Sequence, residues 1–312
     1  MFQNKRMLIT GGSGFIGSYL TKKLVALGAD VVVVDNFRRA SASRLDEVKD
    51  KIQLINADIR QVTNIEKELG SIDAIFHLAA INGTQNFYNH SQEVLDVALR
   101  GTLEIFDLGR NLGVSDIFVA SSSEVYHQPE IIPTPETISA VIPDIWNPRF
   151  SYGGGKLAQE LITANYYDDI FARKIIFRPH NIYGKDMGDG HVIPNIIDKI
   201  TSAKDNNQDH INIHGDGMQT RSFMYIEDFV EALCLIYSKG KNKNIYHLGV
   251  QEEVTIKELI DKIQSKMGTD LSIVSQDAPS GETKRRCPDV SKLTKLGFSP
   301  KYNLDRGLSE II

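Results

Sequence analysis

Short β-branched runs alternate with longer amphipathic stretches through the first 180 residues. Arg6–Thr10 reads as an apolar strand, followed by a glycine-rich turn and a helical stretch over 16–27. Gly28, a residue that tolerates positive φ, closes that helix. Val31–Asp35 is a run buried on both faces, and further strands are predicted at 52–55, 74–78, 117–121 and 174–178. Helical stretches such as 92–111 lie between them. Strict alternation of strand and helix predicts an α/β fold, a doubly wound parallel Rossmann sheet with right-handed crossovers. After about residue 180 the pattern loosens. Glycine and polar residues cluster at 184–190 and 205–218, and helices are predicted at 226–238 and 255–267, with a last one starting at 304–311. This divides the chain into a dinucleotide-binding domain over 1–180, to which some later segments return, and a smaller C-terminal substrate-binding lobe over 181–312.

Composition narrows the field without naming a chemistry. A net charge of −5 lacks the basic stripe of a nucleic-acid binder. No apolar run approaches the length of a membrane span. Cys234 and Cys287 are the only two cysteines of 312 residues, which points to a reducing, cytoplasmic setting and not to a disulfide framework.

Gly11-Gly-Ser-Gly14-Phe15-Ile16-Gly17 lies between the first strand and first helix. There the first glycine allows the tight turn, the second lets backbone approach a pyrophosphate, and the third lets helix and strand pack closely. The free N–H groups of the helix start face the phosphates. Asp35, followed by Asn36, ends the second strand and suits the adenosine ribose hydroxyls, which favours NAD over NADP. Arg38 and Arg39 are either contacts to a 2′-phosphate or residues of a solvated loop. Asp58-Ile59 is placed to meet the adenine, and His77-Leu78-Ala79-Ala80 ends the fourth strand with residues small enough for cofactor approach. Tyr152 and Lys156 share one helix face at i, i+4. An ammonium beside the phenol lowers its pKa, so the pair can take a proton from a substrate hydroxyl. Ser122, within Ser121-Ser122-Ser123-Glu124-Val125-Tyr126, can hydrogen-bond the reacting oxygen.

Together with Arg178-Pro-His-Asn-Ile-Tyr-Gly184, these motifs occur in an order that resembles the extended short-chain dehydrogenase/reductases, specifically the nucleotide-sugar epimerase/dehydratase family, over nearly the whole chain. The resemblance implies a tightly held NAD and a nucleotide-diphosphate sugar whose C4 hydroxyl is oxidised. Ser122 and Tyr152 would handle the proton, with Ser123 and Glu124 beside them. It implies that Asn181 and Arg221 bind the diphosphate, with Arg286 as a second clamp, and that His191 faces the substrate. It also implies a homodimer formed through helices over 92–111 and 152–171, with Val97, Leu103, Leu161 and Tyr166 on their outer faces. Ala98 departs from the asparagine usual in relatives.

The resemblance leaves the fate of the ketone open. Relatives that dehydrate at C4 and C6 carry an Asp-Glu pair where this chain has Ser123-Glu124. Reductive 3,5-epimerases carry a cysteine where Glu124 stands, although His191 is similar to their second acid/base. UDP-glucuronate decarboxylases share stretches like Ser123–Tyr126 and Gln219–Phe223, but differ around Tyr152. A 4-dehydrogenase or 4-epimerase is the preferred expectation, and decarboxylation the alternative. His191-Val-Ile-Pro194 is similar to GDP-sugar enzymes, which suggests a GDP-linked hexose or heptose for capsule or lipopolysaccharide polysaccharide biosynthesis. The unusual run Gly153-Gly154-Gly155 is expected to clear space for a bulky sugar. A non-catalytic NAD-sensing protein of this fold would lose the Tyr-Lys pair, which is present here.

Overall fold

The computed structural model describes residues 1–188, 190–277 and 283–312, so position 189 of the 184–190 cluster lies outside the described residues. Seven parallel strands form the central sheet. In chain order the first six are β1 Arg6–Thr10, β2 Asp30–Asp35, β3 Ile52–Asn56, β4 Ala74–His77, β5 Asp116–Ala120 and β6 Arg173–Pro179. Across the sheet they run β3-β2-β1-β4-β5-β6, and the strand Asn244–Leu248 returns from late in the chain to pair with β6. The order reverses between β1 and β4. A crevice opens there at the carboxyl ends of the strands, where ligands bind in open α/β sheets.

Burial explains why these runs are strands. Val31, Val32, Val33 and Val34 are fully buried, as a parallel sheet covered on both faces requires. One apolar layer packs β1, β2 and β4–β6 against the first helix, Phe15–Ala26, and the helix Ile226–Lys239. The opposite layer packs Val32, Val34, Ile75 and Ile117 against Ile105, Phe106 and Leu108 of the long helix Ser91–Asn111. Beyond residue 180 the chain builds the helix Val192–Asp205, the strand pair His210–His214 with Ser272–Gln276, and the helix Ile256–Met267, whose start is fixed by a reciprocal Thr255–Glu258 capping box. A small three-stranded sheet places Arg221 and Arg286 side by side on adjacent strands.

One boundary differs from the sequence reading. The helix expected to run to 171 is Ser151–Asn165. Tyr166 is extended, and the buried Lys174 ammonium donates to the carbonyls of Ala164 and Tyr166 at 3.3 and 2.9 Å. Those carbonyls would otherwise await the next turn, so a tertiary cation stops the helix. Of the four residues expected on outer helix faces, Leu161 and Tyr166 are exposed, Leu103 is half-buried, and Val97 lies in a core cluster with Tyr152.

Candidate active site

A cavity of about 900 Å3 follows the switch-point crevice from the glycine turn to the residues beyond 180. That is ample for a ligand of several rings. At its inner end the glycine turn is as tight as its composition demands. Gly11 has φ +70°, and a Cβ there would sit 2.9 Å from the backbone of Ala79. A Cβ on Gly17 would lie 2.1 Å from the Gly11 carbonyl oxygen. Gly14 starts the first helix with no side-chain cap, which leaves N–H groups aimed at the cavity. Asp35 braces this turn: its carboxylate accepts from the Ser13 N–H at 3.0 Å and from the Phe37 N–H at 2.9 Å. Phe15, Ile16, Asn36, Ile59, Leu78, Ala79 and Ala80 complete this end. Asp58 also lines it, but Arg60 grips its carboxylate through the backbone and side chain at 2.6–3.0 Å and holds it below its ordinary range. His77 is buried beneath. Its ring nitrogens meet Thr10 at 2.8 Å and Thr102 at 3.2 Å, and burial pulls it down to about 3, so it is neutral.

The middle of the cavity holds the proton-handling groups. Ser122 precedes the turn Ser123–Tyr126; its hydroxyl accepts from the Glu124 N–H at 3.2 Å and hydrogen-bonds Tyr152. Tyr152 stacks on Phe87, ring centroids 4.8 Å apart. The Lys156 ammonium is buried, donates to the Ala120 carbonyl at 2.6 Å, and lies 5.7 Å from the Tyr152 ring centre. The sequence reading has the ammonium lowering the phenol. In the structure burial outweighs it: Tyr152 is pushed up to about 12, with Ser122 pulling the other way, and burial pulls Lys156 down to about 7. Each group is thereby shifted toward its neutral form.

The outer end is rich in guanidinium groups. Arg286 donates to the Glu124 carboxylate at 2.8 Å, and Arg149 approaches it at 3.6 Å. These arginines, with Arg221, outweigh burial and hold Glu124 below the usual carboxylate range. Asn181 adopts φ 43° and donates to the Ser222 carbonyl at 3.0 Å, which fixes it beside Arg221. His191 precedes the helix Val192–Asp205, and burial and Arg39 lower its pKa. The residues expected from the motifs to meet cofactor, proton and substrate line this one cavity, while His77 and Arg178 lie outside its lining. Arg149 and Phe87 line it as well and carry no motif; Arg149 stands three residues before Tyr152, in the turn Pro148–Phe150 that leads into its helix.

The glycine run does not line the cavity. A Cβ on Gly153 would lie 3.1 Å from the Glu124 carbonyl oxygen, and one on Gly155 would lie 3.0 Å from the Ala98 Cβ. The expected space for a bulky sugar is filled by the chain itself. Ala98, in place of the asparagine of relatives, and Gly155 let the two long helices approach.

Residues 7–249 match the NAD dependent epimerase/dehydratase family. The chain belongs to that family. It is 32% identical to UDP-glucuronic acid decarboxylase 1 of Danio rerio, over 99% of this chain and 72% of the relative. It is 32% identical to UDP-N-acetyl-alpha-D-glucosaminuronate decarboxylase of Bacillus cytotoxicus, over 99% and 97%. A solved UDP-galactose 4-epimerase superposes with TM-score 0.82 at 27% identity, covering 98% of this chain and 96% of that one. The cofactor is NAD, and the glycine cradle fits it: every Cβ that would intrude on the turn is missing. Among the described residues no helix is long and apolar enough to cross a membrane.

Proposed function

We propose that this protein oxidises the C4 hydroxyl of a nucleotide-diphosphate sugar and works as a 4-dehydrogenase or 4-epimerase. The observation that carries this reading is the hydrogen-bonded Ser122–Tyr152 pair beside the buried Lys156, midway along a cavity that begins at the glycine turn. Gly11–Gly17, Asp35, Leu78–Ala80 and Lys156 would hold NAD, which supplies the hydride acceptor. Ser122 orients the sugar hydroxyl. Tyr152, as the phenolate that the Lys156 ammonium stabilises, takes its proton and becomes the phenol while the hydride leaves C4. Asn181, Arg221 and the start of the helix Val192–Asp205 suit the diphosphate.

The charge state of Glu124 bears on the ketone's fate. Dehydration needs an acid to protonate the departing hydroxyl, and decarboxylation needs a proton returned to the neighbouring carbon. Glu124, held ionised by Arg286 and Arg149, is a poor donor for either. Oxidation and reduction at C4 need only Ser122, Tyr152 and Lys156. A second reading has its own support. Arg286, Arg149 and Arg221 gather around Glu124 at the outer end of the cavity, an arrangement that suits a sugar bearing a carboxylate, and both curated relatives named above are decarboxylases of such sugars.

The test mixes purified, NAD-loaded protein with UDP-, GDP-, CDP- and dTDP-linked neutral sugars and with UDP-glucuronate. It follows absorbance of reduced nicotinamide and the mass of the sugar. A product two mass units lighter with lasting NADH, or an isobaric product without net NADH, fits the first reading. Loss of carbon dioxide from UDP-glucuronate would replace it with the second, and no change with any sugar would refute both. Exposed Leu95 and Leu161 on the two long helices, with exposed Tyr166 just past the second, support a homodimer through that face, which sedimentation would test.

A further inference from the structure

The Lys156 ammonium has a single carboxylate bearing on it among the described residues: Glu160, one turn further along the catalytic helix. Glu160 is itself buried, and its position is fixed from three sides. Arg178 on β6 donates to it from Nε at 2.7 Å and from Nη2 at 2.5 Å, and the Ser121 hydroxyl donates to it from the end of β5. Arg178 in turn reaches the Tyr126 hydroxyl, which meets His247 Nε2 at 2.6 Å. Ser121 lies between Ala120, whose carbonyl receives the Lys156 ammonium, and Ser122, which bonds Tyr152. One carboxylate thus links β5, β6 and the catalytic helix within two residues of each proton-handling group.

The other groups around Lys156 offer no replacement. On its own helix it lies against the Tyr152 ring, whose phenol burial pushes up to about 12; on β4 His77 is neutral; and at the end of β5 it donates to the Ala120 carbonyl. Arg178, beyond Glu160, is a cation. We propose that Glu160 is a positioning residue: its carboxylate, fixed by Arg178 and Ser121, keeps the buried Lys156 ammonium charged and holds the Ala120–Ser122 segment against the catalytic helix. This rests on the reading that Tyr152 and Lys156 handle the substrate proton. Burial already draws Lys156 down to about 7, so the loss of one favourable charge leaves it largely uncharged at neutral pH.

The experiment compares the NAD-loaded protein with Glu160→Gln, Glu160→Asp and the double variant Glu160→Gln/Arg178→Met. The double variant leaves no buried guanidinium without its partner, which is the main reason the single one would fail to fold. Lys156 is titrated directly by NMR on 15N-lysine-labelled protein, its signal assigned by its absence in Lys156→Met. This requires no sugar, so it stays readable even if no nucleotide sugar reacts and the functional reading falls. Lys156 is expected to lose its proton about one pH unit lower in Glu160→Gln, by a smaller interval in the double variant, which also removes the more distant Arg178 cation, and to return toward the parent value in Glu160→Asp. With a reacting sugar, the alkaline limb of NAD reduction should move down by the same interval, while the rate at pH 6 stays within a few-fold of the parent. A Lys156 titration unmoved in both variants that lack the carboxylate, whatever their stability, would leave Glu160 a purely structural ion-pair partner and overturn the proposal.

Discussion

Alanine substitution along the glycine run separates packing from substrate accommodation, because the three positions meet different surroundings. A Cβ on Gly154 would find only the Ile142 Cδ1 at 3.8 Å, an ordinary contact, and the position is half-buried. Alanine there replaces the least favourable non-proline helix residue at no steric cost, which is worth about 1 kcal/mol. For a chain of this size that is a rise of roughly 1.5–2 °C in Tm. At Gly155 the same gain opposes a 3.0 Å approach to the Ala98 Cβ, a group fixed to the backbone of the neighbouring helix. The helices must part by a few tenths of an ångström over a close-packed seam, and overpacking of this kind costs about 1–3 kcal/mol. Gly155→Ala should therefore be net destabilised by about 1 kcal/mol. At Gly153 the added methyl would press on the Glu124 carbonyl oxygen at 3.1 Å, so Gly153→Ala should lose both stability and turnover. Thermal unfolding and steady-state kinetics on the three variants give the answer. The expected order of Tm is Gly154→Ala above the parent and Gly155→Ala below it, with KM for the sugar unchanged in both. A several-fold rise in KM for Gly154→Ala or Gly155→Ala at unchanged Tm would show that the run clears space for substrate, and would refute the packing argument.

Gly17→Ala would place its methyl 2.1 Å from the Gly11 carbonyl oxygen, so the turn must open; the purified variant should carry at least about tenfold less NAD, read from its absorbance ratio, and full NAD content would contradict the cradle. Tyr152→Phe keeps the Phe87 stack but removes the proton acceptor; turnover should fall by about 100-fold or more with NAD retained, and near-normal turnover would remove Tyr152 from the mechanism. Acid should destabilise the fold through its buried histidines. His77 and His247 are each pulled down to about 3 and His180 well below its ordinary value, all by burial, so below about pH 6.5 the unfolded chain binds protons that the folded chain does not. Stability is full above that pH and falls as pH drops, by about 2 kcal/mol per histidine at pH 5, so the urea midpoint should fall clearly between pH 7.5 and 5; a flat midpoint would mean that these rings are protonated in place.

What the sequence made legible, and what it hid, follows from how far apart the cooperating residues stand. The glycine turn, Asp35 and the Tyr152–Lys156 pair are each confined to one turn, one strand end or one helix face, so spacing alone carries their chemistry. The sheet was legible for the same reason, since β-branched runs such as 31–34 announce burial on both faces. Interactions that cross the chain were not. Glu124 meets Arg286 from 162 positions away, and that contact turns a residue read as a proton-handling candidate into a fixed carboxylate and a clamp into its counter-ion. The end of the catalytic helix depends on a lysine nine residues past it, and the need for glycine at 155 depends on Ala98 across the helix pair. The departure at Ala98 and the glycine at 155, which stood as two separate oddities in the sequence, are one packing solution in the structure. The same helix carries Lys156 to the Ala120 carbonyl and Glu160 to the Ser121 hydroxyl, at and just past the end of β5. The charge that tunes the site is therefore set by helix packing as much as by the motif residues themselves.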